Sequence, residues 1–405
     1  MYDLVVKNGT VIDPSQGLLG KVDVAIANKK IVAVAKRLDS EPRVDSRRVI
    51  DASGRIVTAG LVDMHVHVYP FRNQFRYNGE PDQLCLSSGV TTAVDCGSSG
   101  SATLPTALKS HLKAIYNTRL FIFLNISSVG LPGRPELLDL SYADVEGTID
   151  LCKQYPDFII GVKVRLTRGA LGETKPLEAL GMAREAADKA GKPLMVHGIR
   201  IDQKDVLRGV TLGDVLHELG SGDILTHPYA ENSGILDEQG EVIPEVYEAV
   251  KRGVLLDVAH GRGNFSFDVA TKAMEQGIEP HTISTDLNGS SIMGPVYDLP
   301  TMISKFLALG MPLDQIVEKV TTGPAKIIGK EEIIGSVKEG ASGDLTILDL
   351  EEGKFEFRDA EGRSKMGEKR VIPAMVVKEG RAFLAGSWSQ ANWVWPPPYL
   401  EASKR

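Results

Sequence analysis

With 405 residues, 42% hydrophobic content and 24% charged residues, the chain has an ordinary globular composition and is long enough for a large core. A net charge of -7 argues against a phosphate backbone as its partner, and no apolar run is long enough to span a bilayer. Three cysteines (Cys85, Cys96, Cys152), odd in number and without CxxC spacing, argue against a disulfide framework and for a reducing compartment. The opening residues carry an early acid, Asp3, and lack the apolar core of a signal peptide, so the expected location is cytoplasmic. The expected partner is a small-molecule substrate, with neither nucleic acid nor membrane involved; association into a homo-oligomer is left open.

Residues 1–55 are strand-rich, with alternating segments at 4–13 and 22–36 around turns such as Asn8-Gly9. From 56 to 334 the style changes to short apolar strands alternating with helices, the pattern of parallel βαβ units. Eight strands are predicted, at 56–67, 90–96, 120–125, 158–165, 193–197, 223–227, 254–260 and 281–286. Helices with apolar residues at three- and four-residue spacing are predicted at 106–116, 142–154, 177–190, 212–219, 244–252 and 267–276, with two more at 299–309 and 313–320. Strand-rich segments return at 335–387. The expected fold is therefore α/β, a (β/α)₈ TIM-like barrel with a small flanking β-sandwich domain built from both termini. The last stretch, 388–405, holds all three tryptophans and a Pro-Pro-Pro run, and reads as an arm that docks on a neighbouring surface.

In β/α barrels the reactive groups gather at the C-terminal ends of the strands. Here strand one ends in His65-Val66-His67, whose histidines share a face because side chains alternate along a strand. Two imidazoles on one face can hold one metal ion. Strand four ends in Lys163 and Arg165, strand five in His197, strand six in His227, strand seven in His260 and strand eight in Asp286. Five of the eight histidines fall at such ends. Singly, His197 or His227 reads more readily as a core histidine satisfying a carbonyl. Collected at one rim, they read as metal ligands.

In Gly161-Val162-Lys163-Val164-Arg165, alternation turns Lys163 toward the interior. An ammonium among metal-binding imidazoles is disfavoured by desolvation and by the metal charge. The amine is then either neutral or converted by CO₂ to a carbamate whose two oxygens can bridge cations; a lysine paired with an acid is the plainer alternative. Arg165, on the same face, is a candidate for a substrate carboxylate or for an ion pair with a loop acid. His260 either orients substrate or packs under the Gly261-Arg262-Gly263 loop, and substrate contact is the reading adopted. Tyr69, Asn288 and Ser290 are further candidates for substrate contact, with Arg72 and Ser291 beside them at the mouth.

With these positions assembled, the chain resembles the amidohydrolase superfamily: an HxH on strand one, a lysine on strand four, single histidines on strands five and six, and an aspartate on strand eight. Gly161–Arg165, Met195-Val196-His197-Gly198 and Ser284-Thr285-Asp286-Leu287-Asn288 are most similar to a bacterial deacetylase-type branch of metallohydrolases. The resemblance implies a binuclear centre, with His65, His67 and Asp286 on one metal, His197 and His227 on the other, and carbamylated Lys163 bridging both. Zn²⁺, two per chain, is the default for such ligands. It further implies hydrolysis of an amide or ester of a small acylated carboxylic acid by a metal-activated hydroxide, with Asp286 as general acid and base. Dihydroorotase- and hydantoinase-like cyclic amide hydrolases are the rival reading. Dihydroorotases typically carry an arginine where this chain has Tyr69. A non-catalytic scaffold on the same fold is a third reading, opposed by the complete set of ligand positions.

Overall fold

The computed structural model describes residues 2–38, 48–68, 79–110, 116–133, 135–172, 174–200, 209–387 and 389. Tyr69, Arg72 and His111 lie outside them, as do Trp388 and residues 390–405 of the expected docking arm.

The N-terminal segment alternates as expected and makes β1 (Leu4–Lys7), β2 (Thr10–Asp13), β3 (Leu18–Lys21), β4 (Asp23–Ala27), β5 (Lys30–Ala35), β6 (Val49–Asp51) and β7 (Ile56–Ala59). The barrel is built from β8 (Leu61–Val66), β9 (Val90–Cys96), β10 (Arg119–Asn125), β11 (Ile159–Arg165), β12 (Leu194–His197), β13 (Ile224–Thr226) and β14 (Leu255–Asp257). A long hairpin of β15 (Leu345–Arg358) and β16 (Ser364–Lys378), with β17 (Arg381–Leu384), ends the described chain. One flanking sheet runs β5-β4-β1-β6 and the other β17-β16-β15-β7-β2-β3. Val6, Val24, Ile26, Val57, Ile347 and Val377 lie in the apolar layer shared by these sheets, so both ends of the chain contribute to one sandwich core.

The expected strand 56–67 is two strands. Ile56–Ala59 pairs with β2 and β15 in the flanking sheet, and the barrel strand begins after Gly60. Gly60 is the joint because a Cβ there would lie 2.1 Å from Thr91 Oγ1. The seven barrel strands are all parallel. The expected eighth strand is an irregular segment that bridges both neighbours, Thr282 to Asp257 and Leu287 to Val66, and so closes the ring. Asp63 explains the irregularity: its Oδ1 accepts from Thr285 N (3.1 Å) and His65 N (3.2 Å), replacing ladder bonds with side-chain bonds.

The helices lie where 3.6-residue periodicity put them, for example Val145–Gln154, Pro176–Ala190, Pro244–Arg252 and Phe267–Glu275. Val162 and Val164 pack outward against the helical layer. The barrel's apolar plug includes Val62, Met64, Phe123 and Met195, with Ala325 and Ile328 of its cluster from the helix Thr322–Ile327 and the residue after it. Among the described residues no helix is long and apolar enough to cross a membrane.

Barrel and sandwich are joined by a buried ion cluster. Asp344 Oδ2 accepts from Arg119 Nη1 (2.6 Å) on the barrel and Lys378 Nζ (2.8 Å) on the hairpin, while its backbone carbonyl accepts from Gly60 N. Burial alone would raise the Asp344 carboxyl, but the charges of Lys378 and Arg119 outweigh it and hold the group below its usual 3.8. A carboxyl with a depressed folded pKa contributes stability that is present at neutral pH and lost as pH falls from about 4 toward the folded value. Among the described residues, Asp344→Ala would leave Arg119 and Lys378 with only the half-buried Glu379, 3.4 and 3.8 Å from them, and should cost about 3–5 kcal/mol, read as a lowered urea midpoint at pH 7. An unchanged midpoint would mean the cluster contributes nothing to stability.

Candidate metal centre

At the C-terminal rim, β8 carries His65 and leads into His67, β11 carries Lys163, β12 ends in His197, His227 follows β13, and Asp286 lies in the closing segment. All six line one cavity of about 380 Å³. Val62 and Met64 face the plug below. A register shift between Asp63 and Val66 adjusts the alternation, so that His65 and His67 both reach the cavity. Three of the positioning residues have left-handed backbones: His227 (φ 65°), Ala259 (φ 43°) and Asp286 (φ 54°). Such conformations in non-glycine residues cost about 1–3 kcal/mol each and concentrate at functional sites.

His65, His67 and Asp286 offer ligand atoms within 4.8 Å of one another. Asp286 Oδ1 lies 3.1 Å from His67 Nε2 and 3.9 Å from His65 Nε2. The His197 ring is 4.1 Å from that of His227, which is 5.1 Å from that of His65. Lys163 is buried, and its Nζ has no hydrogen-bond partner among the described residues.

The imidazoles are oriented from behind. His65 Nδ1 donates to Asp257 Oδ2 (3.1 Å), His227 Nδ1 donates to the Ala259 carbonyl (2.7 Å), and His67 Nδ1 pairs with Ser98 Oγ (2.8 Å). Those bonds fix the tautomer of His65 and His227, leaving each Nε2 as a lone pair. Asp257 is itself held by Thr226, Thr282 and Ser284 hydroxyls. Burial, followed by the Lys163 charge, lowers His65 to about 4, and burial holds His197 and His227 far below the usual histidine range. The rings are therefore neutral at pH 7. Burial would raise Asp286, but the His67 hydrogen bond and the charges of His65, His67 and His227 outweigh it and keep the carboxyl ionised. Burial lowers Lys163 to about 8.

The Nε2 lone pairs of His65 and His227 thus share one cavity wall with an ionised carboxylate, an arrangement that suits a cation. An orphaned amine in the same wall completes a donor set that fits a metal centre.

The other candidates separate. Asn288 and Ser290 line the cavity, bonded to each other through Asn288 Oδ1. Arg165 also lines it, but its Nη1 donates to the buried Glu136 at 2.9 Å, the ion-pair alternative realised. His260 corrects the sequence reading: it is absent from the cavity wall, wholly buried and stacked on Phe265, with Nε2 at 2.7 Å from Lys305 Nζ. It packs beneath the glycine loop instead of facing a substrate. Sequence reasoning missed Asp257, although an acid between the apolar pairs Leu255-Leu256 and Val258-Ala259 was an available signal. It also missed Arg200, three residues beyond His197, and Arg262 and Asn264 on the loop, all of which line the cavity.

A parallel barrel with four histidines, a carboxylate and a buried lysine at its C-terminal rim is the architecture of a metal-dependent hydrolase. The chain matches the amidohydrolase family over residues 56–383 and belongs to that family. It is thus a hydrolase of the class that acts on carbon–nitrogen bonds. It is 30% identical to a deacetylase of Enterococcus faecalis, over 94% of this chain and 99% of that one. Among solved structures it is similar to an adenine deaminase (29% identity, TM-score 0.84, covering 95% and 100% of the two chains) and to a dihydroorotase (28%, 0.81, 95% and 99%).

Asp257→Ala should weaken metal binding about 10- to 100-fold by removing the acceptor that orients His65. Competition with a chromogenic chelator measures this directly; an unchanged affinity would show that His65 needs no support from that side.

Proposed function

We propose that the chain is a deacetylase-like hydrolase, cleaving the acyl amide or ester of a small carboxylic acid at a binuclear zinc centre bridged by carbamylated Lys163. The observation that carries this reading is Lys163 itself: a buried amine, lowered to about 8 and without a partner among the described residues, set in the wall that four histidines and Asp286 share. An amine in that range has a neutral fraction near pH 7. Its lone pair can bond to CO₂, losing one proton to give the carbamate. His65, His67 and Asp286 would hold one ion and His197 and His227 the other, with the carbamate between. The bound metals supply a polarised acyl carbonyl and a water acidified toward neutrality.

The chain's own groups do the rest. Asp286 Oδ1 faces the histidines, while Oδ2 accepts from Asn264 Nδ2 at 3.1 Å, so the carboxylate is held at both oxygens. From there it takes the proton of the attacking water and passes it to the leaving nitrogen or oxygen. The arginines of the cavity favour a substrate that carries a carboxylate. The similarity to a deacetylase along nearly its whole length supports acyl transfer to water. The likeness to a dihydroorotase structure supports the second reading, hydrolysis of a cyclic amide.

A panel of N- and O-acetylated amino and hydroxy acids, run beside dihydroorotate and hydantoins, decides between the two; the acetylated acids should turn over faster. Faster ring opening would replace the first reading with the second. The purified chain should carry up to two zinc ions, and Lys163→Ala should lose most of them, with partial rescue of activity by formate or acetate. Full metal content in that variant would remove the bridge. Asp286→Asn should lower kcat about 10²- to 10⁴-fold, and near-normal turnover would place the proton shuttle elsewhere.

A further inference from the structure

The guanidinium groups around the cavity are not equivalent. Arg165 is balanced inside the fold by Glu136, whose side chain is fully buried. A substrate anion there would compete with that carboxylate. Arg200 is different: its Nη2 donates to the Gly263 carbonyl at 2.6 Å and to Asn264 Oδ1, both neutral oxygens. Arg262 sits on the same loop, exposed at the cavity wall. Among the described residues neither Arg200 nor Arg262 forms an ion pair.

Asn264 joins this corner to the reacting centre. A guanidinium only donates and a carboxylate only accepts, so the amide orientation is forced: Oδ1 toward Arg200 and Nδ2 toward Asp286 Oδ2. The Arg200 guanidinium therefore lies one amide group away from the carboxylate read as the proton carrier. Gly261 allows the close approach, since a Cβ there would lie 2.4 Å from Asp286 Oδ2.

We propose that Arg200 and Arg262, and not Arg165, receive the substrate's carboxylate, and that the short reach from Asp286 to Arg200 selects acids acylated at the α-position. This rests on the reading of the centre as a hydrolase of acylated carboxylic acids. An anion in this corner meets two cations with no acid paired to them among the described residues, and their planar donors suit a carboxylate.

The test is binding, so it does not depend on turnover. N-Methylsulfonyl-alanine, in both enantiomers, keeps the α-carboxylate but offers no hydrolysable acyl bond. It is titrated calorimetrically into the metal-loaded protein, in parallel with its carboxamide. The acid should bind about 10- to 100-fold more tightly than the carboxamide, the range expected for a charge-assisted contact. Arg262→Ala and Arg200→Ala should each bring that ratio toward one, with carboxamide affinity and metal content unchanged. No preference in the unaltered protein, or a preference that survives both substitutions, overturns the assignment; the latter would place the carboxylate on the metals or on Arg165. Loss of the preference in the variants together with failure of the unaltered protein to cleave any acetylated acid would uphold the carboxylate corner and strike the acylated-acid reading alone.

Discussion

The site depends on how the ring closes. Asp286 N donates to the His65 carbonyl at 2.7 Å, and His67 N donates to the Leu287 carbonyl at 2.7 Å. These two backbone bonds hold the last segment against the first strand and set Asp286 beside the histidine pair. The segment is not a regular strand. Asp63 takes the place of part of the ladder, which frees the chain to turn left-handed at Asp286 and aim its carboxylate inward. A regular eighth strand would have satisfied the backbone more simply, but its alternation alone would not deliver that orientation.

Electrostatics then make the rim incomplete by itself. His65, His197 and His227 are buried and neutral, Asp286 is ionised, and among the described residues Lys163 has nothing to bond. Buried polar groups are nearly always satisfied, so such a cluster persists only because the surrounding fold over-determines it. Asp257 shows how: a single carboxylate gathers His65 and three hydroxyls from three separate strands or segments. His65 is thus fixed before any cation arrives.

Much of this was legible in the chain. The βαβ alternation, the HxH and the inward lysine follow from period-two and period-3.6 patterns, which are local. The reading of His227 shows where such reasoning divides too sharply: its ring both satisfies a carbonyl and faces the cavity, since one nitrogen does each. What stayed hidden was non-local. Assigning Ile56–Ala59 to the flanking sheet required knowing that β15 pairs with it, and the irregular closing segment depended on a side chain more than two hundred positions away. His260 misled because strand-end position says nothing about which way a ring turns once the regular strand has stopped at Asp257. Arg200, Arg262 and Asn264 lie on loops, where no periodicity announces a role.

The pairing of β7 with β15 bears on how the molecule is made. Val57 meets Ile347, with the whole barrel inserted between them in sequence. On a ribosome, β2 and β7 emerge early and can align, but one edge of β7 stays uncovered until the hairpin residues leave the exit tunnel. An unpaired edge is a template for the wrong neighbour, a second nascent chain included. The sandwich therefore acts as the clasp of this protein: fastened last, it ties the two ends of the polypeptide together.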